Sequence, residues 1–199
     1  GRAAHPQNVC TFKGHTERVP ITAFRFSPTC KHAATAGEDR KLISWDLSSL
    51  PPSQSMNMLL DLDHACGAAF SPDDKFIAVA LARSKEVKVY KARGAKDGPQ
   101  ATFKTGHTGA ITALHWSYNG RWMATCSEDN KDAVRVWKPS GEALGSINPG
   151  ALVVYSACVS PDSRFISVAS MQCDAKVWEV GTDKDGFRLL GKVMELTGR

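Results

Sequence analysis

Four short phrases recur along the chain: FSPTCK at 26–31, FSPDDK at 70–75, WSYNGR at 116–121 and VSPDSR at 159–164. Their serines, Ser27, Ser71, Ser117 and Ser160, stand 44, 46 and 43 residues apart. A second anchor keeps the same period. Each phrase is followed by a short apolar run and then a segment closing on an aromatic: LISWDL (42–47), VKVYK (87–91), VRVWK (134–138) and AKVWEV (175–180). Trp45, Tyr90, Trp137 and Trp178 are therefore spaced by 45, 47 and 41 residues. Two independent anchors with one period imply a single supersecondary unit used four times. A unit this small cannot bury its apolar face alone, so the units must stack on one another.

Each unit reads as four short strands. The first alternates apolar and polar residues, with Phe24 and Phe26 on one face in ITAFRFS and Leu114 and Trp116 in ITALHWS. A Ser-Pro or Asn-Gly turn follows, which is hairpin chemistry. The second strand is small and apolar (HAATAG, FIAVALA, WMATCS, FISVAS). The third is β-branched, with Val87 and Val89, or Val134 and Val136, opposite Lys88 or Arg135. A looser outer strand closes the unit in MNMLLDL (56–62), QATFKT (100–105), EALGSIN (142–148) and VMEL (193–196). No long amphipathic helix is expected.

A period in the forties, four strands per unit, Gly14-His15 and Gly106-His107 at unit starts and Trp45-Asp46 at a unit end resemble WD40 β-propeller blades. The resemblance implies an all-β fold of about four four-stranded antiparallel blades, at 14–62, 63–105, 106–148 and 149–197. Residues 10–13 are expected as the outer strand of a preceding blade. Four blades fall short of a seven-bladed ring, so the segment is expected to be part of a larger propeller or an arc completed by other chains. A closed four-bladed ring is the alternative.

His107, Thr125, Ser127 and Asp129 also invite a catalytic reading, as a His/Ser/Asp set. That reading needs an exposed nucleophile, a base and an oxyanion hole in one cleft. No G-x-S-x-G elbow or other nucleophile context is present. The set also recurs in another unit, as a structural part does. The WD40 resemblance implies a buried network instead: His15, Thr35, Asp39 and Trp45 in the first blade, and His107, Thr125, Asp129 and Trp137 in the third. The third blade carries two extra residues in its turn, within Asn130–Asp132. The second blade has Ser84 at the aspartate position and Tyr90 for Trp. The fourth keeps Trp178 but lacks the Gly-His pair and has Gln172 where an aspartate is expected. Those two blades should hold together mainly by apolar packing.

Composition adds exclusions. No apolar run approaches the roughly 18–20 residues of a membrane span, and the first ten residues lack a secretory apolar core. The six cysteines form no C-x-x-C pair. They read as free, mostly buried thiols in a reducing compartment. No cofactor, metal or small-molecule substrate is expected.

Several phrases, among them LDHACGAAFSPD (62–73), VRVWKPSGEALGSIN (134–148) and DAKVWEVGTDKDGF (174–187), resemble the transducin beta-like protein 2 family. That resemblance implies a non-catalytic adaptor for protein partners in endoplasmic reticulum stress signalling, with its propeller in the cytoplasm at the reticulum's cytosolic face. Propellers dock partners chiefly on the rim of blade-leading loops and second-to-third-strand turns. Here Arg18, Arg40, Arg83, Lys85, Asn130 and Lys131 are the candidates. The net charge of +5 permits an acidic partner. The basic stretch RSKEVKVYKARGAK (83–96) raises an alternative, an RNA- or ribonucleoprotein-associated component. It lacks exposed aromatics for base stacking.

Overall fold

A computed structural model describes residues 10–94, 98–150, 153–171, 174–181 and 188–197. They form sixteen strands in four antiparallel sheets, each a meander in chain order. The first blade holds β1 (Ile21–Phe26), β2 (His32–Gly37), β3 (Lys41–Asp46) and β4 (Ser53–Leu59). The second holds β5 (Ala65–Phe70), β6 (Phe76–Leu81), β7 (Glu86–Lys91) and β8 (Ala101–Lys104). The third holds β9 (Ile111–Trp116), β10 (Met123–Ser127), β11 (Val134–Trp137) and β12 (Ala143–Ile147). The fourth holds β13 (Val154–Val159), β14 (Phe165–Ser170), β15 (Asp174–Gly181) and β16 (Arg188–Thr197).

The recurring phrase is the turn from first to second strand, and its chemistry is local. The backbone N–H of Cys30, Asp74, Gly120 and Ser163 each donates to the carbonyl of its phrase's serine, at 2.8–3.0 Å. These four residues have φ between 57° and 75°, so the turn closes on a left-handed residue. Only the third blade supplies glycine there. Each serine Oγ then accepts the N–H that opens the second strand, at His32, Phe76, Trp122 and Phe165, over 2.9–3.1 Å. One hydroxyl thus satisfies a strand-end donor that has no ladder partner.

The second strands are small because both of their faces are covered, by neighbouring blades or, on the outer face of the first blade, by Phe12 and Leu47; every residue of β2 and β10 is buried. Three apolar clusters fill the interfaces between successive blades. Ala34, Leu42 and Met56 meet Phe70, Ile77 and Val79. Val87 and Val89 meet Leu114 and Trp116. Trp122, Val134 and Val136 meet Val159, Ile166 and Trp178. Gly67 allows the second interface to close, since a Cβ there would lie 3.3 Å from the Leu114 Cβ.

The ends of the arc differ from its interior. Contacts run β1 to β5, β5 to β9 and β9 to β13, and no comparable contact joins β13 to β1 among the described residues. Leu114 and Trp116 are buried against the second blade, but Phe24 and Phe26 at the matching positions are 36% and 58% exposed. Among the described residues Phe12 packs on that flank, its ring meeting Phe24 and Trp45 at 5.6 and 5.1 Å. Residues 10–13 form no strand, because no sheet lies beside them to supply a ladder. Phe12 nonetheless takes on Trp45 the place that Phe103 of β8 takes on Trp137, 5.1 Å away. On the far flank Tyr155, Met171, Val193 and Met194 are exposed.

The cysteines require a correction. Among the described cysteines, Cys30 and Cys158 are exposed, Cys10 and Cys66 half-buried, and only Cys126 fully buried. Cys30 lies in a surface turn, and Cys158 belongs to the uncovered fourth blade, so neither has a neighbouring blade to bury it. Burial pushes the Cys66 thiol up to about 11 and that of Cys126 up to about 12, which keeps both protonated and unreactive. Cys173 and Gln172 lie outside the described residues.

Candidate functional site

All four residues proposed for the first-blade network meet. The His15 Nδ1–H donates to Asp39, 3.0 Å from either carboxylate oxygen. Thr35 Oγ1 lies 2.8 Å from His15 Nε2 and accepts the Trp45 Nε1–H at 2.9 Å. With the indole donating to the hydroxyl, the hydroxyl proton goes to Nε2, and the neutral imidazole keeps its proton on Nδ1 for the carboxylate. The third blade repeats the chain: His107 Nδ1 to Asp129 at 2.7 Å, Thr125 to Nε2 at 2.9 Å, and Trp137 Nε1 to Thr125 at 3.0 Å. Each polar group of the two networks has a partner, and donors and acceptors alternate along them without conflict.

The carboxylates also pin the blade-leading loops. Asp39 accepts the Thr16 and Lys41 N–H groups at 2.8 and 3.1 Å. Asp129 accepts the Thr108 and Gly109 N–H groups at 3.0 and 2.6 Å. Burial alone would raise the Asp129 carboxyl, but hydrogen bonds from Thr108, Gly109, Ser127 and His107 hold it far below the usual carboxylate range. Asp39 is lowered for the same reasons, against the same opposing effect of burial. Burial lowers the His107 imidazole, against the pull of Asp129. The third-blade network is therefore a neutral histidine on a fixed carboxylate, shielded from water. The glycine before each histidine has its own reason: Gly106 has φ 68°, a left-handed backbone that favours glycine, and a Cβ on Gly14 would lie 2.9 Å from Ile43 Cδ1 and 3.2 Å from the Trp45 ring.

Ser127 is an unforeseen member of the third network. Its hydroxyl donates to Asp129 at 2.8 Å and lies 2.8 Å from His107 Nδ1. The residue was in view as a possible nucleophile, yet it is fully buried and its proton is committed to the carboxylate. The arrangement can brace two loops; it offers no free nucleophile to a substrate.

The second blade solves the same problem with a different residue. Asp63, at the end of its leading loop, accepts the Arg83 N–H at 3.1 Å, the Ser84 N–H at 2.8 Å and the His64 N–H at 2.7 Å. Burial would raise this carboxyl, but those backbone donors lower it. A carboxylate thus does cap the β6–β7 turn, from the opposite side of the sheet end. The clue was LDHA (62–65), where an aspartate precedes the histidine. At the threonine register the second and fourth blades place Val79 and Val168, both buried, so the expected reliance on apolar packing has a specific residue behind it.

The rim candidates separate. Arg18, Arg40, Arg83, Asn130 and Lys131 are exposed on the leading loops and second-to-third-strand turns. Arg18 and Arg40 each have φ 62°. Arg40 also donates to the Asp61 carbonyl, in the connection from the first blade to the second, at 3.1 Å. Lys85 is half-buried, and its ammonium donates to the carbonyls of Thr108 (2.8 Å) and Gly109. It clamps the second blade to the third. The two-residue insertion lines a depression of about 540 Å³ with Thr108, Glu128, Asn130, Lys131, Asp132 and Arg135.

The basic stretch does not form one surface. Strand β7 crosses the blade from rim to opposite face, so Arg83 and Lys85 emerge at one end and Lys91 and Arg93 at the other. Between them, Lys88 pairs with Asp61 at 2.5 Å. Lys96 lies outside the described residues. Among those residues, no group of three or more His, Cys, Asp or Glu side chains is placed to hold a metal ion. Among the described residues, no helix is long and apolar enough to cross a membrane.

Comparison with known proteins agrees with this geometry. The family described as WD domain, G-beta repeat matches residues 6–46, 98–138 and 144–179. Transducin beta-like protein 2 of Mus musculus is 30% identical, over 98% of this chain and 45% of the relative. Its Homo sapiens counterpart is 30% identical over 89% and 41%. A subunit of the target of rapamycin complex, wat1, from Schizosaccharomyces pombe is 25% identical over 78% and 48%. The chain thus spans under half the length of these relatives. Repeat period, blade topology and the paired His–Thr–Asp–Trp networks converge with that match: the chain belongs to the WD40 repeat family, whose members are generally protein-interaction scaffolds without catalytic activity.

Proposed function

We propose that this chain is a non-catalytic scaffold that docks protein partners on the rim carrying Arg18, Arg40, Arg83, Asn130 and Lys131. The observation that carries the reading is a division of labour at that rim. The buried polar groups of the turns are consumed by one another, so the turns are held firmly. The exposed groups are presented on those turns together with the depression at the third-blade insertion. Rigid display of arginine on pre-formed turns favours partner binding because little side-chain and loop order has to be lost. Likeness to transducin beta-like protein 2 supports a finer reading, an adaptor in endoplasmic reticulum stress signalling at the cytosolic face of that membrane. The exposed flanks of the arc support its being part of a larger propeller. The ribonucleoprotein reading loses support because the basic stretch is divided between two faces, with Lys85 and Lys88 engaged internally.

The test is affinity capture with the wild-type chain and an Arg18→Glu, Arg40→Glu, Arg83→Glu, Lys131→Glu variant, with folding checked by thermal unfolding. Partners lost from the variant but retained at high salt and after nuclease treatment support the rim. A captured set that is unchanged in the variant, or that disappears with nuclease, rules it out.

A further inference from the structure

On the face opposite the rim, the cleft between the first two blades differs in chemistry from its sister clefts. It is a cavity of about 550 Å³ lined by Thr29, Lys31, His32, Asp73, Asp74, Lys75, Phe76, Lys91 and Arg93. The volume is within the range of ligand sites. The repeat itself shows what is unusual. At the residue whose N–H the serine Oγ caps, where the second strand begins, the other blades place Phe76, Trp122 and Phe165. The first blade places His32 there. His32 is 3% exposed, and its Nε2 accepts from the Arg93 guanidinium. Arginine only donates, so the neutral ring carries its proton on Nδ1, and that buried nitrogen has no partner. Packing in this position calls for an aromatic hydrocarbon; a buried imidazole with an idle donor calls for an acceptor.

The surroundings define that acceptor. Two carboxylates line the cleft, and a third, Asp46, lies close to His32 and Arg93. Asp73 accepts from Ser71 Oγ at 2.6 Å and pairs with Lys75 at 3.3 Å. Asp74 accepts from Thr29, and Asp46 from the Ser48 N–H at 2.8 Å. The lining sets four cations, Lys31, Lys75, Lys91 and Arg93, against Asp73 and Asp74, so the cleft is net cationic beside an idle imidazole donor. One idle acceptor is also present, since Asp74 Oδ1 is buried without a partner. An oxyanion answers the donors, and an N–H carried next to that oxyanion answers Asp74. A phosphorylated side chain on a peptide backbone has both.

We propose that the cleft between the first and second blades, built around His32 and Arg93, binds a phosphoryl group carried on a peptide. Phosphoryl oxygens accept from Arg93, Lys31 and the His32 Nδ1–H, and a neighbouring peptide N–H donates to Asp74. The site is independent of the rim, so either can fail without the other.

The test is calorimetric titration of the chain with a degenerate phosphoserine peptide library, the same library unphosphorylated, and inorganic phosphate. The phosphorylated library is expected to bind saturably and the unphosphorylated one not at all, with inorganic phosphate competing at higher concentration. His32→Phe installs the residue of the sister blades, so it preserves the fold, and thermal unfolding verifies this. It and Arg93→Gln should each weaken phosphopeptide binding about tenfold or more, while Lys131→Gln on the far rim has no effect. Absence of saturable binding, equal binding of the unphosphorylated library, or undiminished binding in His32→Phe and Arg93→Gln overturns the proposal. Inorganic phosphate binding as tightly as the peptide overturns the peptide part.

Discussion

Thr125→Val is the most informative single change in the third blade. Valine matches threonine in shape, and the second and fourth blades already carry valine at this register as Val79 and Val168, so the backbone accepts it. What it removes is one hydroxyl. That leaves the buried His107 Nε2 without a donor and the buried Trp137 Nε1–H without an acceptor. Each orphaned group costs about 1–3 kcal/mol, offset by less than about 1 kcal/mol for burying a methyl in place of a hydroxyl. The expected loss is roughly 2–4 kcal/mol in urea unfolding, read from the midpoint at unchanged slope. A double-mutant cycle with Trp137→Phe isolates the cause. The indole N–H is orphaned once Thr125 is gone, so Trp137→Phe should cost clearly less in the valine background than in the wild type. A loss below about 0.5 kcal/mol for Thr125→Val, or strictly additive costs in the cycle, would refute the view that the network stabilises the blade through mutual satisfaction of its polar groups.

Three further outcomes follow from the same geometry. Asp129 and His107 both have folded-state values below their usual ones, so the unfolded chain binds more protons across both windows. Stability should therefore be complete above the ordinary histidine range, decline through it on acidification, and fall further below the ordinary carboxylate range; melting temperature against pH measures this, and a rise on acidification from pH 7 contradicts it. Asp63→Ala removes the acceptor for three backbone N–H groups and should cost about 2 kcal/mol, with faster hydrogen exchange at Arg83 and Ser84 and little change in the third blade. Phe24→Ser with Phe26→Ser should reduce concentration-dependent self-association in light scattering, because those rings are an uncovered apolar flank. Unaltered scattering would mean that the flank is not what associates.

Much of the molecule was legible in the chain because its information is local and repeated. The turns need a serine, a left-handed residue three places on and a following strand start, all within six residues, and the four phrases display them. Three of the four left-handed positions are not glycine, yet comparison among phrases exposes them. The His–Thr–Asp–Trp sets were legible for the same reason, since spacing in one unit predicts spacing in the next. Asp63 was not, because it reaches the β6–β7 turn from outside the position the repeat reserves for an aspartate. Ser127 was weighed only as a nucleophile and set aside, so its place in the network was not anticipated. Its hydroxyl has the type a nucleophile needs, and only its burial between His107 and Asp129 removes it from solvent.

By itself, then, the sequence determined the unit: period, strand count, turn chemistry and which blades carry the polar network, all set by contacts within about 45 residues of chain. Only the tertiary structure decided what passes between units. It divided the basic stretch between two faces, turned Lys85 into a clamp, left Phe24 and Phe26 bare where Leu114 and Trp116 are covered, and set Arg93 of one blade against His32 of another. Those outcomes depend on which blade stands beside which. A pattern repeated identically in every unit holds no record of its neighbours, and burial and charge are properties of the stack.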